Sequence, residues 1–420
     1  EKLEIKTVGK IDIEPKELEI EKKPAAVVEE TPKIIVEEKP KVILEQPKPV
    51  EEIKEEAPKV EDEIKEKPVE SPIEAPKAEK QGSLSPEMLN LIYQEKWFKL
   101  FVPKEWDGLG LSLPEALLLE EKIARLDASM GWTVTLCAGA GWFVGFLDER
   151  ISQSIFSNAK VCLAGSGFVG GKANWTENFY EISGSWTYAS GALHATHFTA
   201  NCELYEEGKA LLDENGKPVV KAFILKKEEV EILDGWSYMG MIATGSHAFK
   251  TENLLVPSNR VFEIHPEKIK RSEAIYRYPF LQFAEATLAV NILGITQHLQ
   301  KLISETFWKR HEFRKYDQKH LGYFQKLEKS CASKLEVARM KFFDAVEVSW
   351  QELEINGKIS NKSLKSVSRS SRKLTQVCRE INSKMHPFAG LEAAKTRTEL
   401  NRVWRDFNTV SQHALLIFPF

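Results

Sequence analysis

Few side chains in this 420-residue sequence combine a reactive type with a suggestive setting. His413 is one, placed eight positions past Arg405 in a terminal stretch with no carboxylate after Asp406. An imidazole changes charge near neutrality, so it can hold, donate or take a proton at working pH. Glu285 is a second, a carboxylate within a long apolar helical stretch, able to act as a base if it faces a substrate. Ser190 follows Trp186 in the phrase Trp186-Thr187-Tyr188-Ala189-Ser190-Gly191, which sets a large flat ring close in sequence to a hydroxyl. Ser166 lies between two glycines, and Thr244 and Ser246 flank Gly245. Turns rich in Gly and Ser also form without any ligand, so these hydroxyls are candidates for binding only.

The elements that must position these groups occupy only part of the chain. Residues 1–85 are almost entirely Glu, Lys, Pro, Val, Ile and Ala, with no aromatic residue before Tyr93. Such a stretch cannot bury enough apolar surface to offset ordering, which costs about 1–2 kcal/mol per residue. It is expected to be a disordered, extended spacer or tether. The net charge of −4 hides no basic block in the remainder, which argues against nucleic-acid binding. No apolar run reaches the roughly 18–20 residues of a membrane span and no signal-peptide pattern is present, so a soluble, cytoplasmic protein is expected. The five cysteines, at 137, 162, 202, 331 and 378, form no C-x-x-C pair and suit reduced core thiols better than a disulfide frame or a metal site.

Three blocks follow the spacer, giving an α+β class. Residues 86–159 carry helical spacing behind the N-cap signal Ser85-Pro86-Glu87, with a second helix from Pro114 to about 126–127. Residues 160–265 change to period two, with Tyr180, Ile182, Trp186 and Tyr188 expected on one face of a strand. A hairpin is expected after the turn Asp213-Glu214-Asn215-Gly216, with further strands near 230–233 and 249–256. Residues 266–420 return to helix over about 279–311, 320–353, 363–385 and 399–416, suggesting an antiparallel four-helix bundle.

Several phrases, in order, resemble the acyl-CoA dehydrogenase superfamily: LFVPKEWDGLGLS at 100–112, EEKIARLDASMGW at 120–132 and GMIATGSHAFKTENLLVPSNRVF at 240–262. The resemblance implies an N-terminal helical domain, a central small β-barrel and a C-terminal bundle. LAGSGFVGGKANWTENFYEISGSWTYASGALHATHF, at 163–198, is similar to the branch that works as flavin-dependent monooxygenases. By that resemblance Ser190 takes the place of the hydroxyl facing flavin N5, with Trp186 and the neighbouring backbone, Gly191 included, packing on the ring. Ser166 falls near the family's Gly-Ser-Asp, which touches flavin phosphate or substrate. Arg310 resembles the arginine that reaches the pyrophosphate of a neighbouring subunit, although Arg314 replaces the family's following glycine.

The family's dehydrogenases take their base from a glutamate after an Arg-x-x-x-Arg-Asp motif. Here Arg402-Val403-Trp404-Arg405-Asp406 stands at the motif, and the position beyond it resembles the monooxygenase branch in carrying His413. A second base position falls at Ala284, one residue from Glu285. The resemblance thus implies a flavin-dependent oxidoreductase, a monooxygenase using FAD or FMN, with reduced flavin supplied by a separate reductase, on a small aromatic or heterocyclic substrate. Two alternatives stay open: an acyl-CoA dehydrogenase with Glu285 as displaced base, and a non-catalytic scaffold of the same fold. No nicotinamide fingerprint is present. A homotetramer is expected, both from the family and because the helix near 278–302 is apolar on more than one face.

Overall fold

The computed structural model describes residues 75–418. The expected spacer therefore lies outside the described residues as far as position 74, and the disorder expected up to residue 85 is corrected beyond it, because Ala75–Gln81 form a helix, α1, with Ala75 and Ala78 buried against the folded part. Ser85 caps α2 (Pro86–Gln94) by accepting from the Met88 amide. Ser112 and Glu115 form a reciprocal capping box at the start of α3 (Leu113–Leu126), satisfying two amides that helix geometry leaves without partners. Asp127 ends that helix and caps the next, α4 (Ala128–Gly141), through the Met130 amide at 2.8 Å. A short α5 (Glu149–Phe156) leads into the sheet.

Eight strands follow: β1 (Leu163–Thr176), β2 (Phe179–Ala189), β3 (His197–Glu206), β4 (Lys209–Ala210), β5 (Val220–Lys226), β6 (Glu231–Leu233), β7 (His247–Pro257) and β8 (Val261–Phe262). They pair in the order β6-β7-β2-β1-β3-β5-β8, with β4 on β3, and only β1 and β3 run parallel. Among the described residues no hydrogen-bonded pairing joins β6 to β8, so the expected barrel is an open sheet. It nevertheless curls. Phe198 of β3 and Phe249 of β7 sit three strand spacings apart in the pairing order, yet their rings are 4.7 Å apart. A flat sheet would separate them by roughly 14 Å.

Tyr188 corrects the expected alternation in β2. The pairing of β2 with β7 shifts register between Trp186 and Ala189, and Tyr188 takes a φ of 63° and stands 60 % exposed. A bulge re-aims the side chain, so Ile182 and Trp186 turn inward and Tyr188 does not.

The C-terminal helices are α6 (Phe280–Arg314), α7 (Gln318–Asn356), α8 (Asn361–Met385) and α9 (Glu399–Val410). Residues 285–296 of α6 are buried without a break. That all-round apolar character is absorbed within the chain, because α6 packs on α3, α4, α8 and α9. It therefore gives no argument for a tetramer. Two ion pairs lock helices together: Arg339 of α7 holds Glu121 of α3 through two bonds of 2.7 and 2.9 Å, and Arg372 of α8 meets Glu285 of α6 at 2.5 Å.

Candidate functional site

A cavity of about 290 Å³ opens where the sheet meets α4, α6 and the terminal turn. Its apolar wall comes from Leu136, Phe143, Phe280, Phe283 and Leu288, with Gly139, Ala140 and Ala284 leaving room between them. Its polar groups come from Thr135, Ser166, Ser190, Thr199, Asn201 and His413. A broad apolar cleft with a few fixed polar groups on one side suits a planar ring system with a polar edge. An isoalloxazine is such a ring, and the lining fits it. The alternation of Thr199 and Asn201 along β3 is the sequence signal that could have added these two residues.

Of the residues expected from sequence, Ser190, Ser166 and His413 share this cavity. Thr244 and Ser246 stand directly behind it. Thr244 Oγ1 donates to the Met241 carbonyl at 2.7 Å, lies 2.7 Å from Ser246 Oγ, and Ser246 Oγ lies 2.8 Å from Ser190 Oγ. The carbonyl cannot donate, so the direction of the chain is fixed. Thr244 gives its proton to Met241, Ser246 gives its own to Thr244, and Ser190 gives its own to Ser246. Ser190 therefore presents its oxygen to the cavity as an acceptor. Gly191 follows with a φ of +77°, and a Cβ there would stand 2.8 Å from Cys137 Sγ, so both backbone shape and space call for glycine.

Met241 is itself held by the Arg402–Asp406 motif. Asp406 Oδ1 accepts from the Met241 amide at 2.5 Å, and Arg405 Nη1 donates to the Met239 carbonyl at 2.6 Å. The motif fastens α9 to the turn that carries Thr244 and Ser246. Burial, opposed by the Met241 amide and reinforced by Asp127, raises the Asp406 carboxyl to about 7.

His413 is not on the last helix, which ends at Val410. It caps a short 3-10 turn, Ala414–Leu416, with Nδ1 accepting from the Leu415 amide at 3.4 Å. Burial lowers its basicity, so the ring is neutral at neutral pH. With Nδ1 accepting, the ring proton sits on Nε2, making that nitrogen a donor. Trp132 meets the ring edge-on at 5.9 Å between centroids, and Arg379 grips the Ser411 and Leu416 carbonyls on either side.

Three expected residues lie elsewhere. Trp186 is fully buried in the core of the sheet, stacked on Phe249 at 5.0 Å with Nε1 donating to the Asn201 carbonyl, and does not line the cavity. Arg310 donates to the Phe388 carbonyl and packs against Gly390, away from the cavity. Glu285 is fully buried in its pair with Arg372, and no Asp or Glu lines the cavity. His194 and His197 are also outside it. His194 Nε2 accepts from the Leu84 amide, and burial lowers its basicity to about 4.

This combination of a helical domain, a curled sheet and a helical C-terminal domain around one apolar cavity is the acyl-CoA dehydrogenase type of fold. Residues 278–418 match the family described as Acyl-CoA dehydrogenase, C-terminal domain. The chain is 23 % identical over 356 residues to an indole-3-acetate monooxygenase of Acinetobacter baumannii, covering 80 % of this chain and 85 % of that one. It is 30 % identical over 200 residues to a pigment production hydroxylase of Rhodococcus sp., 46 % of this chain and half of that relative's length. Among solved structures, XiaF from Streptomyces sp. in complex with FADH2 and glycerol superposes with a TM-score of 0.72 at 20 % identity, over 81 % of this chain and 87 % of that one. Residues 278–418 thus match the acyl-CoA dehydrogenase C-terminal domain, and the proteins to which the chain is similar include an oxygenase subunit of a flavin-dependent monooxygenase.

Among the described residues no helix is long and apolar enough to cross a membrane, and no group of His, Cys, Asp or Glu is arranged to hold a metal.

Proposed function

We propose that the chain is the oxygenase component of a two-component flavin-dependent monooxygenase acting on a small aromatic or heterocyclic substrate, with reduced FMN or FAD delivered by a separate reductase. The observation that carries this reading is the meeting of His413 and Ser190 in a cavity lined by no carboxylate. A dehydrogenase needs a carboxylate at the α-carbon, and Glu285 is sealed against Arg372.

A reduced flavin, when bound, supplies the electrons that activate oxygen. The chain's own residues would do the rest. Ser190, an acceptor by its hydrogen-bond chain, would take an N–H such as the one at N5 of the reduced ring, which the oxidised ring lacks. Gly191, Thr244 and Ser246 would act behind it, and Ser166, whose Oγ accepts from the Phe168 amide, keeps its own proton for a ligand oxygen. His413 would donate from Nε2, or take a proton once Nε2 is bare, beside an apolar wall that excludes water. Arg310 would serve only a ligand reaching Phe388 and Gly390, which favours FMN or a loosely held flavin.

A homotetramer belongs to the same proposal. It is supported by exposed apolar side chains on α7, Val337, Met340, Val348 and Ile355 among them. Five buried free thiols suit a reducing compartment such as the cytoplasm.

The experiment mixes the full chain anaerobically with chemically reduced FMN or FAD, then adds oxygen and an aromatic panel including indole-3-acetate. Oxygenated product is expected. Bleaching of oxidised bound flavin by acyl-CoA thioesters would reverse the assignment, and failure to bind either flavin at micromolar concentration would leave a scaffold. A sedimentation mass equal to one chain would remove the tetramer.

A further inference from the structure

One face of α8 carries more positive charge than its surroundings answer. From Asn361 to Arg379 the helix holds six Lys or Arg residues and no Asp or Glu. Its first carboxylate, Glu380, is engaged by Lys334 and Lys384 at 2.5 and 2.8 Å. Arg369, Arg372, Lys373, Gln376 and Arg379 fall within about 120° of one another around the helix axis. Like charges three and four positions apart repel along a helix, so helix stability alone does not call for this arrangement.

The same five residues line a second cavity, of about 420 Å³, which Leu416 and Ile417 bound at the terminal turn. No Asp or Glu lines it, and it shares no residue with the cavity of His413 and Ser190. Arg372 is engaged by Glu285. Arg379 holds the Ser411 and Leu416 carbonyls through three N–H groups, which leaves two of its five donors for a ligand. Carbonyl dipoles do not neutralise a guanidinium, and burial lowers the basicity of this one. Lys373 gives one proton to Gln376 Oε1 at 3.1 Å and keeps its others. Arg369 is exposed and makes no hydrogen bond or ion pair among the described residues.

A wall of cations beside an apolar shelf suits an oxyanion carried on an apolar group. A carboxylate offers two oxygens and one charge. A phosphomonoester offers three oxygens and about two charges, enough to meet several of these donors together. We propose that this pocket binds a small phosphomonoester, with its phosphate against Arg369, Lys373 and Arg379 and its apolar part on Leu416 and Ile417. The site stands apart from the first cavity and does not depend on the oxygenase reading.

The test uses the full chain without flavin or turnover. Phenyl phosphate, methyl phosphate, inorganic phosphate and benzoate are titrated by calorimetry in Tris chloride of low ionic strength. Phenyl phosphate is expected to bind most tightly, and more weakly as salt is added. Arg369→Gln and Lys373→Gln should each weaken it by roughly threefold to tenfold, the scale of a charge-assisted hydrogen bond discounted for exposure. Both side chains are exposed, so the melting temperature should stay the same. Neither lines the first cavity, so their effect assigns binding to the basic pocket. Ile417→Ser should narrow the preference for phenyl over methyl phosphate. Absence of phenyl phosphate binding at millimolar concentration, or unchanged affinity when Arg369→Gln and Lys373→Gln are combined, would overturn the proposal. So would benzoate or inorganic phosphate binding as tightly as phenyl phosphate. Tighter binding of a polyglutamate peptide would mark a docking face for an acidic protein segment and overturn it equally.

Discussion

Ser246→Ala tests the direction of the hydroxyl chain behind the cavity. Thr244, Ser246 and Ser190 are at most 5 % exposed, so water does not compete for their protons. In the wild type the Met241 carbonyl fixes every proton, and Ser190 can only accept from a ligand. Without Ser246, the Ser190 hydroxyl loses its acceptor and can turn its proton toward the cavity, where the bare N5 of oxidised flavin is itself an acceptor. The wild type should therefore favour reduced FMN, and the variant should narrow that preference by about one net hydrogen bond, ~1 kcal/mol, or roughly fivefold. For a two-electron couple a tenfold change corresponds to about 30 mV, so the bound-flavin midpoint potential should fall by roughly 20 mV. Dissociation constants for oxidised FMN by fluorescence quenching, and for reduced FMN under anaerobic titration, give the ratio directly. Spectroelectrochemistry closes the cycle. Thr244→Val should act in the same direction but less, because Ser246 then lacks its fixed acceptor. An unchanged ratio in Ser246→Ala, or a stronger preference for reduced flavin, would refute the assigned direction.

His413→Ala should leave flavin binding nearly intact and lower coupled oxygenation by about 10²- to 10⁴-fold, with reduced flavin diverted to hydrogen peroxide, as a peroxide assay would register. The acid limb of the wild-type profile should lie below the ordinary imidazole value of about 6.5, because burial lowers this group. Glu285→Gln should cost stability in denaturant titrations, since it breaks a buried pair, while sparing turnover. Gly240→Ala would set a Cβ 2.2 Å from the Arg405 carbonyl oxygen and should destabilise by about 1–3 kcal/mol or more in urea unfolding. Asp406 binds its proton more tightly folded, at about 7, than unfolded, at 3.8. The wild type should therefore lose stability relative to Asp406→Asn as pH rises through that window, by a few kcal/mol at most, and the difference should level off above it. A flat difference between acid and neutral pH would contradict the burial of a proton there.

The helices and strands were legible because their signals are local. Ser85-Pro86, Pro114 and the turn at 213–216 each specify geometry within a few residues, and the structure begins elements at or next to them. The four long C-terminal helices follow from apolar spacing in the same way. Tyr188 was misplaced because a bulge depends on the neighbouring strand, which a period-two pattern does not record. Trp186 was drawn to the ring by resemblance, yet the curl of the sheet closes Phe249 over it. The Asp406 clamp was illegible because its partners are far apart in sequence. A buried Glu on a helix face looks, in sequence, like any solvated one. Ser190 and His413 line one cavity, although nothing local to either residue indicates that they meet.

The cavity's polar groups come from positions 135, 166, 190, 199, 201 and 413, on five separate pieces of the chain, with the 3-10 turn of His413 fastened by Arg379 of α8. No fragment of the polypeptide holds a working subset of them. Assembly of the last turn thus acts as an interlock on the chemistry: a half-folded molecule, or one whose terminal turn has come loose, lacks the donor that would direct activated oxygen to a substrate. For an enzyme handling a reductant that reacts with air unaided, that dependence sets a quality threshold. Damage that loosens the terminal turn should first show as leaked peroxide, well before the helices themselves melt.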